Sequence, residues 1–173
     1  MLDELFDPLT AQIARVEQDL YEDLAYPVSP RSATGWPDVD TEIKELRRRF
    51  ASCSTPQDYR SLGTYCMGVI ESVSRVAYKP ELHVRDGETE LPPDKTKLRL
   101  DRVVEMALPG RRNEELRSLA KAAVTAAHRV KHGTAPSRMV SGITCDAVIL
   151  MANIIRRLEI GEGRHTSSPG VTS

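Results

Sequence analysis

Aromatic side chains are scarce in this 173-residue chain, which has two Phe, one Trp and five Tyr. With two Phe and one Trp, a platform for stacking the bases of single strands is not supported. An excess of either charge is missing too: 24 basic residues face 25 acidic ones, for a formal net charge of −1. Whole-protein attraction to nucleic acid or to an anionic membrane is therefore not expected, and a local basic patch is the form that stays open. Cysteine is limited to Cys53, Cys66 and Cys145. That odd, small number argues against a disulfide framework and suits a reducing cytoplasm.

Several motifs are absent as well. No C-x2-C pair occurs, and one histidine pair, His128 and His132, has i,i+4 spacing. The residue after His128 is Arg129 and not the Glu of an H-E-x-x-H site, so no metal is expected. Gly161-Glu162-Gly163 lies in the C-terminal stretch and opens no helix, so no phosphate-cradling loop and no small-molecule cofactor are expected. Residues 1–8 carry acidic side chains where a signal peptide needs basic ones. No apolar run approaches the roughly 20 residues that cross a bilayer. The expected location is the cytoplasm, with no membrane partner.

What the chain does contain is helical periodicity. Hydrophobic residues make up 40% and charged residues 28%, enough for a core. Leu9, Ile13, Val16, Leu20 and Leu24 are spaced by three or four and form one stripe, with Asp7-Pro8 as cap and first turn. Residues 26–37, with three prolines and a glycine, read as a linker. Val39, Ile43, Leu46 and Phe50 predict a second helix, whose other face carries Arg47, Arg48 and Arg49. Thr55-Pro56-Gln57-Asp58 opens a third, continued by Tyr59, Leu62, Cys66, Val69, Val73 and Val76. Gly63 and Gly68 within it point to close helix approach. Residues 79–93 are polar and loop-like, the best place for a mobile excursion.

A fourth helix is expected from Asp94 to about Leu108, where Pro109-Gly110 stops it. Asn113 can cap a fifth, with Leu116, Leu119, Ala120, Ala123, Val124, Ala127 and Val130 facing in and His132-Gly133 at its end. The sixth puts Met139, Ile143, Ala147, Leu150, Met151, Ile154 and Leu158 inward. The short link between these two predicts antiparallel neighbours. No alternating pattern predicts a strand, and no internal repeat is found. The fold class expected is all-α, an antiparallel bundle of five to six helices over residues 37–160. An N-terminal helical arm and linker covers 1–36, and a disordered tail covers 161–173. The stripe of the arm suits a partner helix within the chain or across a two-fold axis.

Polar chemistry is densest where the fifth and sixth helices join: His128, Arg129, Lys131, His132, Thr134, Ser137 and Arg138. An imidazole titrating near neutrality beside cations could move a proton and stabilise a phosphorane-like transition state in RNA cleavage. In the structural reading, Lys131 and His132 complement a helix C-terminus, and Thr134 or Ser137 caps the next helix. Arg47, Arg48 and Arg49 are a nucleic-acid contact in one reading, joined by Lys131 and Arg138. In the other they are a solvated face shared with Glu42 and Glu45. Cys66 and Cys145 fall on apolar faces, where free Cys is usually a small core residue.

Four stretches resemble HEPN-type helical domains of bacterial abortive-infection and other defence or RNA-processing proteins. They are D-Y-R-S-L-G-T-Y-C (58–66), N-E-E-L-R-S-L-A-K-A-A (113–123), A-A-H-R-V-K-H-G-T-A-P-S (126–137) and C-D-A-V-I-L-M-A-N-I-I-R-R-L-E (145–159). Active members of that family pair two domains into a metal-independent ribonuclease site marked by an Arg four to six residues before a His, often Arg-Asn-x-x-x-His. Aligning His132 with the family histidine puts Ala127 at the arginine position and His128 at the asparagine position, and Arg129 stands only three residues before His132. The resemblance then implies a degenerate domain that serves in dimerisation, partner binding or RNA binding. Two functions follow as expectations. The first is a non-enzymatic interaction protein of phage defence, acting as a homodimer or with a partner protein. The second is an endoribonuclease using His132 as general acid/base, with Arg129 or Arg138 stabilising charge and His128 beside them.

Overall fold

The chain divides into two compact units, Met1–Ser32 and Ala33–Ser173, and the computed structural model describes residues 33–165. The helix expected from Pro8 and the last eight residues of the expected tail lie outside the described residues. All regular structure among the described residues is helical. In chain order it comprises α1 (Pro37–Ser52), α2 (Pro56–Ala77), the one-turn α3 (Pro80–His83), α4 (Thr96–Ala107), α5 (Glu114–His132) and α6 (Arg138–His165), with a 3-10 turn at Arg111–Asn113. Helix α6 runs five residues into the stretch read from sequence as tail.

The start of α1 is tied down more firmly than a linker would be. The Asp40 carboxylate accepts hydrogen bonds from the Thr34 backbone N–H at 2.6 Å, the Thr34 hydroxyl at 2.8 Å and the Gly35 N–H at 3.1 Å. Gly35 takes φ +82°, a left-handed conformation that suits glycine. Trp36 is thereby folded into the core with the Arg156 guanidinium 5.1 Å from its ring, and Arg156 Nε donates to the Thr34 carbonyl at 3.2 Å. The segment leading into α1 is thus fastened to the second half of α6.

Helix α2 is the centre of the bundle and packs against α1, α4, α5 and α6. Its N-terminus closes as the sequence predicts: Thr55 Oγ1 accepts from the Asp58 N–H, and Asp58 accepts from the Thr55 N–H. The N–H groups of Ser54 and Thr55 hold the Asp58 carboxyl below the usual carboxylate range. Gly63 is where α2 meets α5. A Cβ there would lie 2.3 Å from the Lys131 nitrogen, so only hydrogen fits against that backbone. Ala120, Ala123 and Ala127 of α5 are buried, as the close approach requires.

Directions follow from paired contacts. Glu42 faces Gly68 and Arg49 lies over Tyr65, so α1 and α2 are antiparallel. Tyr59 meets Ser141 and Cys66 meets Cys145, so α2 and α6 run the same way. Lys121 pairs with Glu105 at 3.0 Å and Arg117 donates to the Leu108 carbonyl at 2.6 Å, so α4 and α5 are antiparallel. The segment expected to be a mobile excursion is anchored at several points. Arg99 is buried, donates to the Leu91 carbonyl and Glu90, and stacks over Tyr78, while Arg102 holds Glu88 at 2.7 Å.

Two expected helix faces need correction. On α5, Leu116 and Leu119 are exposed, while the inner face begins at Ala120. On α6 the buried line is Ser141, Thr144, Cys145, Val148, Met151, Ala152 and Ile155, so Met139, Ile143 and Leu150 point outward. The reason is that α6 carries apolar residues around more than half its circumference, and periodicity alone does not choose between phases. Polar members of the buried line are hydrogen-bonded: Thr144 donates to the Val140 carbonyl within its own helix at 2.8 Å, and Ser141 donates across to the Tyr59 carbonyl of α2 at 3.4 Å. The stretch Arg138–Glu159 is long and apolar enough by length and composition to cross a membrane. Its inner line is occupied by the core of the bundle.

Replacing Gly63 with Ala should destabilise the protein by about 1–3 kcal/mol through overpacking, despite the better helix propensity of Ala. Gly68→Ala should cost little, because the atom a Cβ would approach is the end of the Glu42 side chain. Urea denaturation of both variants checks the contrast.

Candidate functional site

Helix α5 reaches the bundle end because its inner face lies against Gly63. It then stops at Gly133, whose φ of −71° is extended and not left-handed. A Cβ at that position would come within 2.8 Å of the Arg129 carbonyl, so close approach accounts for the glycine. At the other end, Asn113 does not cap α5 through its side chain and donates instead to the Pro109 carbonyl at 2.9 Å. The connection to α6 closes on Ser137, whose hydroxyl accepts from the Val140 N–H at 3.2 Å, the cap the structural reading anticipates.

His128 and His132 stand one turn apart on the solvent side of α5, with parallel rings whose centroids are 6.2 Å apart. Arg129 is exposed beside them. Lys131 is half-buried, and its carbonyl accepts from Arg60 Nε at 3.4 Å, a contact from α2 that sequence spacing does not reveal. Arg138 is exposed, with its guanidinium 5.3 Å from the Phe50 ring at the end of α1. The fold therefore collects Arg60, Lys131, Arg138 and the two imidazoles at one end of the bundle.

The arginine run of α1 is largely engaged within its own helix. Glu45 accepts from Arg48 at 2.6 and 2.7 Å and from Arg49 Nε at 2.6 Å. Arg49 also lies 5.1 Å from the Tyr65 ring. Arg47 is exposed on the same helix. Hydrogen bonds from Arg48 and then Arg49 bring the Glu45 carboxyl down to about 2. At neutral pH this carboxylate offsets part of the positive charge that a phosphate backbone would read.

No family model, curated protein or solved structure matches this chain. The functional reading thus rests on the chain's own geometry and on the resemblance stated from sequence. Among the described residues no three His, Cys, Asp or Glu side chains gather as metal donors. The histidine–arginine set can offer an exposed proton carrier beside cations.

What sequence reading missed lies on the outer side of α6. Met139, Ile143 and Leu150 are 70, 62 and 41% exposed, with Val140 at 41% beside them. Ala147 and Ile154 are half-buried at the margins of the same stripe. The signal was present as surplus: α6 has more apolar positions than one buried line can use. An exposed apolar stripe of this kind, interrupted by Asp146 alone between Ile143 and Leu150, is uncommon on a surface that meets only water.

Two measurements check these assignments. A pH titration of the Glu45 carboxyl by NMR should give a midpoint near 2. Its folded value is depressed, so the stability it contributes is present above the unfolded value and is lost as pH falls toward 2. His132→Ala should change stability by less than about 0.5 kcal/mol, because the ring is exposed.

Proposed function

We propose that the chain is a non-enzymatic helical interaction protein of the cytoplasm that associates with a second copy of itself through the outer face of α6. The observation that carries this reading is the exposed stripe Met139, Ile143 and Leu150. Its layout suits a two-fold pair. In an antiparallel arrangement centred between Asp146 and Ala147, Met139 comes opposite Ile154 and Ile143 opposite Leu150. Ala147, next to the axis and facing the exposed Asp146 across it, is small enough to let the helices approach. One patch then serves both partners, as a two-fold interface demands.

The stripe spans residues 139–154, about 23 Å of helix. Stable dimers bury about 800 Å² per partner, more than one helix face of that length supplies, so exchange between monomer and dimer is expected at micromolar concentration. A place in phage defence, in an abortive-infection system, rests on the resemblance to HEPN-type domains alone. Within that family, a domain with Ala127 at the arginine position is suited to dimerisation or partner binding.

A second reading, a metal-independent endoribonuclease with His132 as general acid/base, is favoured by one observation, the exposed imidazole pair beside Arg129. Light scattering over a concentration series tests the first reading. Wild type should move from monomer to dimer, while Ile143→Asp and Leu150→Asp stay monomeric with unchanged helical circular dichroism. A wild-type monomer at every concentration, or a dimer indifferent to both substitutions, would contradict it. RNA incubated in EDTA should survive wild type and His132→Ala equally. Cleavage by wild type that disappears in His132→Ala would establish the nuclease reading instead.

A further inference from the structure

Three cysteines are buried, and two of them touch. Cys66 on α2 and Cys145 on α6 bring their sulfurs to 3.9 Å, sharing a hydrogen bond across the centre of the bundle. We infer that Cys66 and Cys145 are a peroxide-responsive thiol pair, which oxidation joins into a disulfide fastening α2 to α6. A disulfide bond is about 2.05 Å long, so the sulfurs must approach by about 1.9 Å from their 3.9 Å separation. The helices that carry them run side by side in the same direction, held two turns earlier on α2 and one turn earlier on α6 by the Ser141–Tyr59 hydrogen bond.

The two sulfurs are not equivalent. Cys145 is 6% exposed and Cys66 is fully buried, so a small oxidant meets Cys145 first. The shared hydrogen bond, and then burial, push the Cys66 thiol up, while the same shared bond draws Cys145 down. Cys145 is therefore the attacking group and Cys66 the resolving one.

The chemistry balances with hydrogen peroxide as oxidant. The Cys145 thiolate attacks one peroxide oxygen, the O–O bond breaks, and the departing hydroxide takes up the thiol proton as water. Cys145 is left as a sulfenic acid. The Cys66 sulfur then attacks the Cys145 sulfur, and the hydroxyl leaves with the Cys66 proton as a second water. Two thiols lose two electrons to one peroxide, and dithiothreitol reverses the change.

The test treats full-length protein with hydrogen peroxide, alkylates the remaining thiols after denaturation, and reads intact mass and linked peptides. Wild type should lose about 2 Da, keep one alkylatable thiol, assigned to Cys53, and yield the 66–145 linked peptide. Its melting temperature should rise and return on dithiothreitol treatment. Cys53→Ser should still form the bond and Cys145→Ser should not. Three alkylated thiols after peroxide, a link through Cys53, or Cys145 oxidised further without a link would overturn the inference. The wild-type peptide map decides the matter even where a variant fails to fold.

Discussion

A side chain larger than hydrogen at position 63 would overlap the amide of Lys131, and that steric fact sets the spacing of the bundle. With α2 drawn against the backbone of α5, the alanines of α5 become buried and its two forward leucines are left outside. Helix α6 then lies alongside α2 with Ser141, Cys145 and Val148 inward. Its phase is fixed by that packing and not by its own hydrophobicity. The outward placement of Met139, Ile143 and Leu150 is a consequence of the same contact.

The polar end of the bundle shows how far a suggestive cluster is accounted for by structure. Ser137 caps α6, Gly133 sits against a carbonyl, and the Lys131 carbonyl receives Arg60. Glu45 takes up Arg48 and Arg49. At the opposite end, burial would raise the Glu159 carboxyl, but Lys79 and Arg156 outweigh it and hold it below the usual range. The cations thus serve α1, the loop before it, and the ends of α2 and α6 before any external anion is considered. The imidazole pair faces solvent together with Arg129 and Arg138.

The helices of the bundle were legible in the sequence because their signals are local: Thr55-Pro56 with Asp58 at the start of α2, Pro109-Gly110 after α4, Ser137 before α6. The Gly63 approach was legible too, since a glycine inside a good helix asks for a reason. The phase of α6 was not, because two stripes satisfy the same period and only the neighbour selects one. The anchoring of Trp36 was hidden for a related reason. It depends on Arg156, more than a hundred residues away, and on Asp40 reaching back over its own helix start. Arg60 at the α5 terminus and the Cys66–Cys145 contact are likewise products of packing, invisible to spacing along the chain.

The claim on which the functional account turns is that the outer side of α6 is a contact surface. Methyl NMR on dilution tests it at the level of single side chains. The account predicts that signals of Met139, Ile143, Leu150 and Ile154 move with concentration while those of the buried Val148 and Ile155 stay fixed. A spectrum that does not change on dilution, or changes confined to another face of the bundle, would contradict it.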